Sequence, residues 1–140
     1  MIELTISRPV PEIDSKKLKA TAQRLLAAAG QTDGELSILL TGDTELRELN
    51  RTHRGKDRPT DVLSFPGEGN SLGDIAISVE TARKQAADYD APLQNEIYRL
   101  LIHGILHVLG HDHHEAGERA IMEAEEKRLS RAISMPWPYD

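Results

Sequence analysis

The sequence predicts an α+β fold: one domain over residues 1–140, with a small mixed β-sheet covered by helices. A three-histidine metal site is expected at the end of a long helix. Three observations carry this reading. Strand-like and helix-like segments are interspersed along the chain, which argues for a sheet packed under helices. The chain has 140 residues and 39% hydrophobic content, enough to bury a core without staples. No internal repeat or domain boundary interrupts it. Finally, five of the six histidines crowd into one stretch, from His103 to His114.

The elements follow in order. Ile2 to Ser7 alternates apolar and polar residues and reads as a strand. Ser15 to Ala29 reads as a helix with Ser15 as its N-cap and Gly30 as its stop. Glu35 to Leu40 is a short apolar strand ending at Thr41-Gly42. Asp43 is expected to cap a helix that carries Leu46 and Leu49 and runs out near Arg54-Gly55. Asp61 to Phe65 reads as a strand stopped by Pro66-Gly67, and Gly67, Gly69 and Asn70 mark a turn. A further strand runs from Asp74 to Ser78, and a helix follows from Ser78 or Glu80 through Ala87. Pro92 fits the first turn of a long helix carrying His103 and His107. Glu115 to Ile133 forms a last helix, and the Met135–Asp140 tail, with two prolines, is not helical.

Composition excludes several classes. Without cysteine there are no disulfides and no thiolate metal ligands, which suits a reducing cytoplasm. The N-terminus lacks a signal peptide's apolar block, and no apolar run approaches the ~20 residues of a membrane span. A soluble, cytoplasmic protein with no membrane partner is the expectation. The net charge of −6 argues mildly against a general nucleic-acid binder, since phosphate contacts need lysine and arginine. The charge is uneven, however. Arg47, Arg51, Arg54, Lys56 and Arg58 stand against only Glu48 and Asp57, a local balance of +3. Taken alone, such a run reads as a solvated face. Its position in a loop with Gly55 and Pro59, leading into an apolar strand, favours a functional reading.

The histidine stretch reads H-x-x-x-H-x-x-G-x-x-H. His103 and His107 are four apart, so on a helix they share one face. Gly110 tolerates a left-handed turn that ends the helix and swings the chain back. His111, His113 and His114 all lie beyond it. Spacing favours His113 as the third ligand, with His111 a neighbour of the site and His114 a solvated residue opening the next helix. Three imidazoles leave a tetrahedral metal one open position, as in catalytic zinc sites. Imidazole also suits nickel and other transition metals.

Position 104 narrows the chemistry. Zinc peptidases of the H-E-x-x-H kind carry their general base, a glutamate, immediately after the first histidine. Here that residue is Gly104, which has no side chain to move a proton. The ligand pattern survives and the peptidase mechanism does not.

The long helix explains how the ligands are held. Leu93, Ile97, Leu100, Leu101, Ile105 and Val108 recur at helical spacing and should face the core. Glu96, Leu100, His103, His107 and Gly110 form the adjacent stripe, at the border of core and cleft. Glu96 is either a group that orients a ligand or an exposed partner of a neighbouring cation. Asp112, between two histidines, suits a role beside the ligands or in stabilising the turn.

With these residues the chain resembles the YbeY family of bacterial endoribonucleases and ribosomal RNA maturation factors. The resemblance rests on His103 to His113 and on two further segments, Asn50 to Pro66 (NRTHRGKDRPTDVLSFP) and Leu72 to Ser78 (LGDIAIS). Together with the overall length it covers most of the chain. It implies metal ligation by His103, His107 and His113, with one zinc ion or another transition metal such as nickel. It also implies that Arg54 is the important basic residue near the metal. The implied function is metal-dependent, single-strand-specific endoribonuclease activity in ribosomal RNA processing, 16S rRNA maturation and ribosome quality control. The implied partners are single-stranded RNA, rRNA and ribosomal subunits.

A metal held by three histidines can polarise a phosphoryl oxygen or lower the pKa of bound water. Arg54 can clamp the phosphate and offset charge developing in the transition state. No residue stands out as general base; a group at the metal, a neighbouring side chain or the RNA's own 2′-hydroxyl each fits. Two other classes remain: a noncatalytic metal-binding RNA-chaperone module, and a metallopeptidase that lacks its glutamate. Oligomeric state and cut-site preference leave no mark in the sequence.

Overall fold

The computed structural model describes residues 1–112 and 114–139. Among these, four strands form one mixed sheet: β1 (Ile2–Ile6), β2 (Glu35–Thr41), β3 (Val62–Pro66) and β4 (Ser71–Ser78), in the order β1-β2-β4-β3. β1, β2 and β4 run parallel, and β3 closes one edge antiparallel to β4. The topology follows from the connections. A parallel neighbour needs a long crossover, supplied between β1 and β2 by helix α1 (Ser15–Ala28). An antiparallel neighbour needs only a short turn, and the Gly67–Asn70 segment provides one between β3 and β4.

The sheet's two faces are sorted by alternation. Leu36, Ile38 and Leu40 of β2, with Ile75 and Ile77 of β4, point into the main core. Against them lie α1 and the long helix α4 (Leu93–Val108), with α3 (Val79–Asp88) and α5 (Ala116–Ala132) packed on α4 and α1. The opposite face carries a smaller cluster of Leu46, Leu63 and Ala76, flanked by Leu39, Leu49 and Phe65. Helix α2 (Asp43–Arg54) covers that face in part. Ile97, Leu101 and Ile105 of α4 are fully buried, and each such side chain stabilises the fold by roughly 1.5–3 kcal/mol. The expected core stripe of α4 is therefore observed, with Val108 half-buried at its end.

Two caps differ from expectation. The N-cap of α1 is Asp14, whose carboxylate accepts from the Lys16 and Lys17 amides, rather than Ser15. Asp43 begins α2 but does not cap it; Gly42 holds that position. The Asp43 carboxylate instead accepts from the Ser78 and Thr81 hydroxyls, joining the starts of α2 and α3. Ser78 in turn caps α3 by accepting from the Thr81 amide. Strands β3 and β4 are also displaced from the predicted bounds, β4 starting three residues earlier at Ser71. The tail is non-helical as expected, and Trp137 packs against the main core.

Candidate active site

The C-terminal end of α4 sets the site's geometry. Gly110 adopts φ 98°, its amide donates to the His107 carbonyl at 3.0 Å, and the His111 amide donates to the Leu106 carbonyl at 2.9 Å. This pair of bonds satisfies the helix's last carbonyls and reverses the chain. The turn expected at Gly110 is present.

One turn back, His103 and His107 face each other, with their Nε2 atoms 3.1 Å apart. On the far side of the His103 ring, Nδ1 lies 3.1 Å from Oε2 of Glu126 on α5. A carboxylate accepts and does not donate, so Nδ1 is the donor here, and in the neutral ring Nε2 of His103 then presents its lone pair toward His107. Two ligands at ~2.0–2.1 Å on a tetrahedral ion stand roughly 3.3 Å apart. The observed spacing therefore fits a shared metal, and the carboxylate behind His103 is the partner that ligating histidines commonly have.

His113, the expected third ligand, lies outside the described residues. Among the described residues no three metal-ligating side chains come together. His111 is half-buried at the turn. His114 is exposed, with Nε2 3.4 Å from Asp112 Oδ1.

Gly104 fits where it sits for a steric reason. A Cβ there would stand 2.9 Å from Ile75 Cγ2 and 3.2 Å from Ser64 Oγ. The helix approaches the sheet at this residue, and the approach aligns β3 beside the histidines. Ser64 links the two halves of the candidate site. Its side chain faces Gly104, and its backbone oxygen accepts from Arg54 Nη2 at 2.7 Å. Arg54 reaches this edge strand from the last turn of α2, with its guanidinium 5.5 Å from the Phe65 ring centroid. His53 packs on the same ring edge-on at 5.3 Å.

His103 and Arg54 border two different hollows. His103 borders a hollow of about 190 Å³ between α4 and α5, lined also by Arg119, Met122, Glu123 and Glu126. Arg54 borders another of about 360 Å³, together with Val62 and Leu63 of β3 and the loop before it. Val62 and Leu63 of β3 thus border the hollow beside Arg54 and not the one beside His103.

Glu96 is neither exposed nor a partner of the histidines. It is 0% exposed and pairs through both oxygens with Arg99 Nε at 3.0 and 2.9 Å. Arg99 also donates to Gln85, whose amide donates to Asp61. Burial works against the Arg99 charge, but the Glu96 carboxylate overcomes it and raises the guanidinium pKa. The Tyr139 hydroxyl donates to Glu96 at 3.4 Å, and its pKa is pushed up to about 12 by burial and by that carboxylate. This network ties α3, α4 and the tail together.

Glu126 was not legible from the motif. A signal did exist: it lies between Met122 and Leu129, the buried positions of α5, so a charged residue occupied the inward face of that helix.

The chain is similar to known proteins over most of its length. The family model for Endoribonuclease YbeY matches residues 4–134. An Endoribonuclease YbeY of Aquifex aeolicus is 43% identical over 127 residues, covering 86% of this chain and 85% of its own. One of Anaeromyxobacter sp. is 42% identical over 136 residues, covering 94% of this chain and 71% of its own. One of Geobacter sulfurreducens is 40% identical over 127 residues, covering 84% of this chain and 85% of its own. Among solved structures, the solution structure of a Thermotoga maritima protein superposes with a TM-score of 0.62 at 25% identity, over 100% of this chain and 99% of that one.

Proposed function

The chain belongs to the YbeY family of endoribonucleases, and from that premise we propose that it cuts single-stranded RNA in a metal-dependent reaction. Its setting in this reading is the cytoplasm, where it acts with ribosomal subunits in rRNA processing, 16S rRNA maturation and ribosome quality control. No helix among the described residues is long and apolar enough to cross a membrane. The observation that carries the chemistry is the His103–His107 pair, with Nε2 atoms 3.1 Å apart and Glu126 behind His103.

His103, His107 and His113 are the residues that hold the metal in this proposal, and an all-imidazole set suits zinc or nickel. When bound, such a cation supplies Lewis acidity toward a phosphoryl oxygen. The protein's own groups do the rest. Glu126 holds the proton on His103 Nδ1 in this reading, which fixes the ring and leaves the Nε2 lone pair for the metal. Arg54 clamps the scissile phosphate. Its bond to the Ser64 carbonyl uses one of the five N–H groups of a guanidinium, so the fork is aimed by β3 and the other donors serve the substrate. A charge-assisted contact of this kind offsets the negative charge that develops on the phosphoryl oxygens.

The peptidase reading loses further ground on Gly104. Ile75 and Ser64 fill the space where a glutamate would have to begin, so the position of the missing base belongs to helix–sheet packing. The direct test is turnover of a single-stranded RNA with the metal present and after its removal by a chelator. Cleavage that needs the metal supports the proposal. Binding of metal and RNA without turnover would return the noncatalytic metal-binding RNA-chaperone reading, and cleavage of a denatured protein would revive the peptidase.

A further inference from the structure

The +3 charge of the segment from Arg47 to Arg58 is not spread over its surface. Its two carboxylates are both engaged by the two outer arginines. Arg47 Nε donates to Asp57 at 2.7 Å, and Arg51 Nη2 donates to Glu48 at 2.8 Å. These contacts hold the Asp57 carboxyl below its ordinary pKa and raise that of each arginine. The other three cations, Arg54, Lys56 and Arg58, line one hollow of about 360 Å³ that no acidic side chain among the described residues lines.

The hollow has a fixed frame. Asn50 is 3% exposed; its side-chain amide donates to the Arg58 carbonyl at 3.1 Å, and its own carbonyl accepts from the Lys56 amide at 3.3 Å. The Arg58 amide then donates to the Lys56 carbonyl at 3.0 Å. A buried residue of α2 thus shapes the loop from within, so Lys56 and Arg58 stand on a held backbone. A volume of 300–1,000 Å³ is that of a small-ligand pocket, which exceeds the need of a single anion contacted by Arg54 alone.

We propose that Lys56 and Arg58, beside Arg54, form a phosphate subsite that grips a phosphodiester of the substrate strand next to the one held by Arg54. This inference rests on the endoribonuclease reading, which supplies the ligand class; the grouping of three cations in one acid-free hollow supplies the place. The subsite reads charge and not bases, since cations are its only strong recognition groups. Arg47 and Arg51, already paired, contribute less to strand binding than their position in the same basic run suggests.

The test is the salt dependence of binding to a fluorescent single-stranded oligoribonucleotide, with the strand's integrity checked on a gel after each reading. The variants are Lys56→Gln/Arg58→Gln and, as a control with the same charge change on an exposed remote surface, Lys16→Gln/Lys17→Gln. For single strands the slope of log K against log salt is about −0.7 per phosphate neutralised. The loop double variant is expected to flatten that slope by about 0.7 or more, and the control to leave it unchanged. An abasic oligomer should show the same difference. Equal slopes in the two double variants would overturn the subsite, as would a parent protein that does not bind the strand at low salt. Loss of binding to an acidic peptide in the loop variant, with RNA binding intact, would assign the hollow to a protein partner instead. Cleavage by the parent is scored separately, so a protein that binds with the predicted slopes but does not cut refutes the nuclease reading and leaves the subsite standing.

Discussion

Gly104 and Ile75 are in such close apposition that no side chain fits between them: a Cβ on Gly104 would lie 2.9 Å from Ile75 Cγ2. Ile75 is 1% exposed and β-branched, so it has little freedom to move aside. Replacing a helical glycine by alanine ordinarily gains roughly 0.5–1 kcal/mol. Overpacking a tight core contact costs roughly 1–3 kcal/mol, which outweighs that gain. Gly104→Ala is expected to lower stability by about 1 kcal/mol or more in urea unfolding. A neutral or stabilised variant would show that α4 and the sheet can separate without penalty.

Glu126 offers a test of how the histidine pair is oriented. Removing the group that fixes a ligating histidine typically weakens metal affinity by about 10- to 100-fold. Glu126→Ala is expected to fall in that range in a chelator competition. Glu126→Gln, which retains a carbonyl acceptor for His103 Nδ1, should lose less. Affinity unchanged in both variants would mean that Glu126 merely neighbours the ring.

Asp43 should make stability depend on acid pH. Hydrogen bonds from Ser78, first, and then Thr81 hold its carboxyl below the ordinary value of 3.8. A folded pKa depressed in this way contributes stability that is present above 3.8 and is lost as pH falls through the folded value. Asp43→Asn is expected to cost about 1.5–3 kcal/mol at pH 7, the scale of hydrogen bonds to a charged acceptor. The gap between variant and parent should narrow at acid pH, as the pH falls through the depressed folded value. Unfolding titrations at both pH values read this directly, and a gap independent of pH would remove the ionised carboxylate from the account.

Periodicity made most of the fold legible. The spacing of Ile97, Leu101 and Ile105 placed α4 against the core, and the alternation from Ile2 to Ser7 marked the first strand, whereas the faces taken by β2 and β4 side chains show only in the folded sheet. Caps were less legible, because Asp14 and Ser15 are both good N-cap residues and only the backbone decides between them. Asp43 was misread for a tertiary reason: the hydroxyls it engages come from β4's end and α3, more than thirty residues away. Glu96 does pair with a neighbouring cation, Arg99, but its burial was misread, since Arg99 and the tail's Tyr139 close over it only in the folded chain. In the site, the pairing of His103 with His107 followed from helical spacing, while Glu126 and Ser64 enter from other elements. The concentration of charge at Arg54, Lys56 and Arg58 depended on which arginines found carboxylates, and that is settled by side-chain geometry.

The most direct measurement is a cleavage time course on single-stranded RNA for Arg54→Ala beside the parent, with metal content determined on the same samples. Arg54 donates to the Ser64 carbonyl from an exposed position on α2 and lies away from the histidine helix in sequence, so fold and metal content should survive its loss. Removing a charge-stabilising donor from a reaction site typically costs ~2–4 kcal/mol, or roughly a 30- to 1,000-fold drop in rate. Arg54→Lys should recover only part of this, because an ammonium cannot reproduce the two-pronged guanidinium contact. The account predicts full metal content with cleavage reduced in that range. An Arg54→Ala protein that keeps its metal and cuts RNA at the parent rate would contradict it.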